Sequence, residues 1–258
     1  MYWLLTDETN KPPRADQFFI YGGLMLDSAV AGAVDAAVSD VRREYGYAQD
    51  ASFKFSVGGS GLDAETHEAA KLALLDRLPE LGLKFVATVV HYRIKGDAHI
   101  NAVIELAINT LTMAYWEFLG DERRQGIMLI DRVDTARGHD EFRNFARRFT
   151  EGLQFDQRSR RVDDRILLFG MTNNNSSRLS SAVDIAIGAF RTCVNASTTN
   201  SADDGTAATY WRRLDPLVWR RNGRRTAGGF RPRPVDVRAP SIRRVYDKLE
   251  ADLRSWSE

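Results

Sequence analysis

Near the start of the chain, apolar positions cluster in short aromatic and β-branched runs. Residues 2–6 and 17–26 read as strands, and the polar, proline-bearing link between them predicts an antiparallel hairpin. The spacing then turns helical. Ala29, Val30, Ala33, Val34, Ala37, Val38 and Val41 recur three and four residues apart, which predicts a helix over 28–45. A short piece, Phe53-Lys54-Phe55, precedes Gly58-Gly59-Ser60-Gly61. A second helix is expected over 64–81, with Asp63 as its N-cap and Gly82 just beyond its end. Residues 84–92 read as a strand. One stripe of Ile100, Val103, Ile104, Ala107, Ile108, Leu111 and Tyr115 marks a helix over 99–119. Strand 126–131, helix 139–153, strand 166–171 and helix 178–195 follow. Strands alternating with helices imply crossovers and a parallel part of the sheet. The expected fold class is α/β, a mixed sheet with antiparallel first strands and parallel later strands, flanked by helices. Residues 196–209 read as a mobile polar loop. Residues 211–240 show little periodicity around Pro216, Pro232 and Pro234, and 241–254 read as a last helix. No internal repeat is present.

Three aspartates interrupt this pattern. Asp7 follows Tyr2-Trp3-Leu4-Leu5-Thr6, Asp131 closes Ile127-Met128-Leu129-Ile130, and Asp184 sits inside Ala182-Val183-Asp184-Ile185-Ala186. A carboxylate is costly to bury unless a cation or hydrogen-bond donor meets it. Two strand-end aspartates and one helical aspartate, meeting at the carboxyl edge of a sheet, would make an oxygen-rich cage for Mg²⁺ or Mn²⁺. Each aspartate alone also has a plainer reading, as a turn cap, a surface pair or the partner of a buried arginine.

Composition narrows the class. With 258 residues, 43% hydrophobic and 28% charged, the chain is long enough for one sizeable globular core. No uncharged run approaches the roughly 20 residues of a membrane span, and no basic-then-apolar leader opens the sequence. A cytoplasmic protein away from membranes is therefore expected. Cys193 is the single cysteine, which excludes an intrachain disulfide and a thiolate metal centre and reads as a buried small hydrophobe. His91, His99 and His139 match no metal-ligand spacing, and Gly58-Gly59-Ser60-Gly61 lacks the Gly-Lys-Ser/Thr of a phosphate-cradling loop.

The net charge of +1 hides an asymmetry. From Gly205 onward 13 Lys/Arg face 6 Asp/Glu, whereas the preceding part carries 23 against 29. Arg212, Arg213, Arg220, Arg221, Arg224 and Arg225 interleave with Trp211 and Trp219. Such a mixture pairs with phosphates and stacks on bases, so nucleic acid, RNA or DNA, is the expected partner. The same residues also suit packing of a C-terminal segment onto the body, with arginine heads at the surface.

A mixed sheet whose first strand and later parallel strand end in Asp, with a third Asp on the last core helix, has the ribonuclease H-like plan. The segments Thr-Asp-Glu-Thr-Asn (6–10), Phe-Lys-Phe-Ser (53–56), Leu-Ile-Asp (129–131) and Asn-Ser-Ser-Arg-Leu-Ser-Ser-Ala-Val-Asp-Ile-Ala-Ile-Gly-Ala (175–189) resemble the bacterial family called domain of unknown function 3800. The resemblance covers residues 2–195. It implies a ribonuclease H-like core over 1–195, with 196–258 a polar loop and basic extension packed on that core. It also implies a metal-dependent nuclease, a hydrolase of RNA or DNA phosphodiesters. On it, Asp7, Glu8, Lys54, Asp131 and Asp184 are the catalytic residues, and Asp7, Asp131 and Asp184 hold the Mg²⁺ or Mn²⁺. Asn10 replaces the family's glycine, Ser181 its glutamine and Ser52 its frequent glutamate. The last change removes a fourth carboxylate and favours the alternative, a catalytically inactive module that binds nucleic acid or a protein partner.

Overall fold

The computed structural model describes residues 1–10, 17–95, 100–131, 149–155, 158–172, 177–198 and 204–258. The opening alternation forms the expected hairpin. Strand β1 (Tyr2–Thr9) pairs antiparallel with β2 (Phe18–Asp27), setting Thr6 opposite Gly23 and Asp7 opposite Gly22. Strand β3 (Lys84–His91) continues antiparallel beside β2. On the other side of β1, β4 (Gly126–Asp131) runs parallel to it, and β7 (Ile166–Thr172) runs parallel to β4. A sixth strand, β8 (Phe230–Arg233), lies parallel to β3 and completes the order β7-β4-β1-β2-β3-β8. Strands β5 (Leu153–Phe155) and β6 (Arg158–Arg160) form a separate ribbon.

The helices are α1 (Ala31–Glu44), α2 (Ala64–Arg77), α3 (Ile100–Asp121), α4 (Arg178–Thr198), α5 (Asp204–Leu214) and α6 (Pro240–Ser255). The Asp63 carboxylate accepts the Thr66 amide at 2.8 Å and so starts α2, while Gly82, at φ +72°, turns the chain toward β3. The pleat divides the core between the two faces of the sheet. Leu5, Ile20, Leu24, Phe85 and Ala87 face one layer, built with α1, α2, α4, α5 and α6. Leu4, Phe19, Tyr21, Val86 and Met128 face the other, built with α3. Helix α4 is apolar almost all round, burying Val183, Ile185, Ile187 and Phe190 between sheet and neighbouring helices. Each such side chain contributes about 1.5–3 kcal/mol on leaving water. Cys193 is buried within this layer, and its Sγ–H donates to the Ala189 carbonyl.

Several boundaries differ from the sequence expectation. Within 196–209 the described residues are helical: α4 runs to Thr198 and α5 begins at Asp204. Tyr210, Trp211 and Leu214 stabilise α5 by burying in the same core, which overrides the weak helix propensity of Gly205, Thr206 and Thr209. A division at 195 therefore falls inside a helix. The aperiodic region 211–240 contributes β8, whose Pro232 is tolerated because the strand is an edge. Helix 139–153 falls mostly outside the described residues; within them 149–151 are helical and Leu153 already begins β5. His99 and His139 also lie outside them. Among the described residues, no helix is long and apolar enough to cross a membrane.

Ion pairs attach the C-terminal segment to the body. Arg231, only 7% exposed, reaches Glu117 on α3 at 2.5 Å and the Gly228 and Ala227 carbonyls. Arg221 pairs with Glu117 and Asp121, and Arg213 with Asp76 on α2. Asp215, 13% exposed, receives both Arg220 at 2.8 Å and Arg225 at 2.6 Å. Breaking a desolvated pair strands its partner, so Asp215→Ala should cost about 2–3 kcal/mol in urea unfolding. Removing the exposed Asp236 partner of Arg243 should cost about 0.5 kcal/mol or less. Equal costs would show that the Asp215 cluster is no more than a surface pair.

Candidate functional site

Strand β1 continues two residues past Asp7, so this aspartate is not at the strand end. It is still paired with Gly22 on β2, while the parallel ladder to β4 stops at Thr6 opposite Ile130. Asp7 thus stands where β1 and β4 part, and its Oδ1 accepts the Glu8 amide at 2.8 Å. Its parity along the strand, shared with Leu5 and Gly22, puts it on the α4 face of the sheet. Asp131 closes β4, its backbone paired with Thr172 of β7, one position beyond the Thr6–Ile130 level. The Asp131 side chain lies outside the described residues. Glu8 takes the opposite parity. It shares the α3 face with Thr6 and Tyr21, whose hydroxyls bond at 2.8 Å, so the sheet separates it from Asp7.

Helix α4 lies along β1 in close contact. A Cβ on Gly22 would stand 2.7 Å from Ile187 Cδ1 and 2.8 Å from the Val86 carbonyl. Further along, Arg191 donates to the Thr9 hydroxyl at 3.2 Å and Asn10 donates to the Asn195 side chain at 3.1 Å. Asp184, one turn before Ile187, is held from the other side. Its Oδ2 accepts the backbone amide of Phe55 at 2.5 Å. Burial raises the Asp184 pKa above the usual carboxylate range, opposed by the Phe55 amide and then by the charges of Lys54 and Arg191. Lys54 therefore does sit near the aspartate, on a bend and not on a strand.

Phe55 is the pivot of this arrangement. Its ring covers Gly188, where an added Cβ would overlap the ring carbons. Lys71 lies over the same ring at 4.0 Å, Arg191 at 5.4 Å, and Tyr210 packs beside it at 5.4 Å. Lys71 is 6% exposed and pairs with Glu68 at 2.6 Å. His67, also buried, meets the Tyr47 hydroxyl at 2.6 Å, and burial followed by the Lys71 charge lowers its pKa. Lys71 was legible as a lysine inside the apolar run Ala69-Ala70-Lys71-Leu72-Ala73, the same signal that marks the aspartates. Phe55 and His67 carry no such signal.

The structure thus puts Asp7 and Asp184 on one face and Asp131 at the neighbouring strand end. It places Lys54 near Asp184 and sets Glu8 apart. Lys54 and Arg191 are the charged neighbours that oppose the rise in the Asp184 pKa. Among the described residues no three His, Cys, Asp or Glu side chains stand close enough to hold a metal ion. Of the six arginines expected to meet nucleic acid, Arg213, Arg220, Arg221 and Arg225 are engaged with acidic partners. Arg212 and Arg224 are exposed and without an ion pair among the described residues. The Ser52 amide donates to the Gly59 carbonyl at 2.9 Å, closing the loop 52–59 that carries Phe55. Comparison with protein-family models, curated proteins and solved structures returns no match to the chain.

The raised Asp184 pKa makes stability depend on pH. Between the ordinary value of 3.8 and its raised one, the folded chain keeps a proton that the unfolded chain has released, so stability falls as pH rises. Asp184→Asn should accordingly melt higher than wild type at about pH 7, with the gap closing below about pH 4. Melting curves across that range check it, and a wild type more stable than the variant at neutral pH would contradict it. Gly188→Ala should destabilise the fold by about 1–3 kcal/mol by forcing Phe55 off the helix. Amide exchange at Phe55 should accelerate in that variant; unchanged protection would mean the ring does not hold the loop.

Proposed function

We propose that this chain is a metal-dependent nuclease with a ribonuclease H-like core, cutting RNA or DNA at the carboxyl edge of β1 and β4. The observation that carries the reading is topological. Adjacent parallel strands deliver Asp7 and Asp131 to one edge of the sheet, and α4 brings Asp184 across the face on which Asp7 stands. Antiparallel first strands and parallel later strands agree with the plan that the sequence resemblance implies.

The residues suit a hard divalent cation. Asp184 is a carboxylate kept in a desolvating setting that favours its protonated form, and one of its oxygens is used by a single amide. An added cation would reverse that preference. Asp7, Asp131 and Asp184 would hold Mg²⁺ or Mn²⁺, which when bound activates water and stabilises charge on a transferring phosphoryl group. Around it, the Phe55 amide fixes one Asp184 oxygen. Lys54 offers a positive charge to a phosphate oxygen or offsets the acids before metal arrives. Arg191, anchored on Thr9, does the same from the far side. Glu8 has no part in this reading, because it faces α3.

A second reading keeps the fold and drops the chemistry. It is favoured by Ser52, a hydroxyl where the resembling family often has a carboxylate, and by Glu8 facing away, which together leave three acids. Calorimetric Mn²⁺ titration separates the two. Wild type should bind Mn²⁺ and gain thermal stability on doing so, whereas Asp131→Asn should lose a site. Equal binding by both removes the metal centre. Labelled RNA, DNA and hybrid, incubated with Mg²⁺ or Mn²⁺, should be cut by wild type and not by Asp7→Ala; affinity without any cutting would select the binding module.

A further inference from the structure

A groove of about 450 Å³ opens between α1, the loop 48–53 and the first turn of α4. It adjoins the carboxylate face, since Ser181 on its wall precedes Asp184 by one helical turn and Phe53 leads to Phe55. Arg42 forms its floor. That guanidinium is fixed by three carbonyls, with Nη1 donating to Ala51 at 2.7 Å and Nη2 to Ala48 at 2.8 Å and Gln49 at 3.1 Å. These bonds leave Nε–H and one Nη1–H uncommitted. Arg178, exposed at the start of α4, stands close enough that its charge acts on Arg42, after burial, to lower the Arg42 pKa. Neither arginine forms an ion pair with a carboxylate among the described residues.

Two like charges lining one groove repel, and an anion bound between them relieves that repulsion. Asp35 and Asp50 line the same groove, and no ion pair joins either of them to Arg42 or Arg178 among the described residues. The hydroxyls of Ser52 and Ser181 add neutral donors to the same walls. Two forked cations with hydroxyl donors are the set that recognises a phosphate group. We propose that this groove is a phosphate subsite, which binds a non-scissile phosphodiester of the strand presented to Asp7, Asp131 and Asp184. Its assignment to a polynucleotide strand rests on the nuclease reading; its affinity for phosphate does not. Ser52 and Ser181, two of the three departures from the resembling family, then serve substrate contact and not metal binding.

The test is fluorescence polarisation of a labelled single-stranded oligonucleotide with the full chain in EDTA, so that no metal contributes. Arg178→Glu should weaken binding by roughly tenfold or more. It should also flatten the dependence of log K on log salt by about 0.7 for each phosphate no longer bound. Arg178→Gln should fall between it and wild type. Arg123→Glu, an exposed arginine lining a different groove, should stay within about twofold of wild type. Inorganic phosphate should displace the oligonucleotide from wild type and not from Arg178→Glu. Oligonucleotide binding that is equal in wild type and Arg178→Glu, or absent from wild type, overturns the subsite. Arg178-dependent binding in a wild type that neither binds Mn²⁺ nor cuts supports the subsite while removing the nuclease.

Discussion

The close approach of α4 to the sheet is the constraint on which the other features depend. It is possible because two positions lack a side chain. Gly22 lets Ile187 descend onto β2 beside Asp7, and Gly188, about 100° further round the helix, lets the Phe55 ring pack against it. The helix is therefore held by β1–β2 on one side and by the loop carrying Phe55 on the adjacent one. That loop supplies the amide that Asp184 accepts. A methyl group at either glycine would separate the surfaces that orient the carboxylate, although neither glycine touches it. Arg191 at Thr9 and Asn195 at Asn10 extend the same contact for two further turns.

Most arginines of the basic C-terminal segment are spent on attaching it, the packing reading that its composition also allowed. Asp215, Glu117, Asp121 and Asp76 each take up arginines, and the segment closes the sheet with β8 and buries Trp211, Leu214 and Tyr246 in the α4 layer. A net charge of one sign along a stretch of chain says little about the surface when the opposite charges sit on the elements it packs against. The two guanidiniums that line the groove lie elsewhere. Arg42 and Arg178 are distant in sequence, and each belongs to a helix of ordinary composition.

This contrast shows where sequence is informative. Strands β1 to β4 and β7, and helices α1 to α4, were legible because their apolar spacing follows the period of the element. Asp63, Gly82 and the hairpin were legible through local backbone chemistry. Strand β8 was not, because Pro232 within it and Pro234 just beyond argue against a strand, and only the edge position makes Pro232 harmless. Helix α5 was hidden by small polar residues whose helicity comes from burying Tyr210, Trp211 and Leu214. For the candidate site, unexpected charges in apolar runs singled out Asp7, Asp131 and Asp184. The facing of Glu8 was also deducible, since adjacent residues on a strand point to opposite faces. The Phe55 pivot and the Arg42–Arg178 pair arise from tertiary contact alone.

What the neighbours of position 184 require bears on why a carboxylate stands there. The Phe55 amide needs an acceptor, but an asparagine oxygen would serve with no charge to desolvate, so the hydrogen bond alone does not account for aspartate. Neutralising Lys54 and Arg191 is a second candidate. Both keep solvent contact, however, and surface cations of that kind gain little from a partner. Burial still dominates the balance and holds the pKa up, so the local cations do not offset the desolvation of the charge. On the proposed reading, a divalent cation on the α4 face, where Asp7 also stands, would carry enough charge to make aspartate the better residue there.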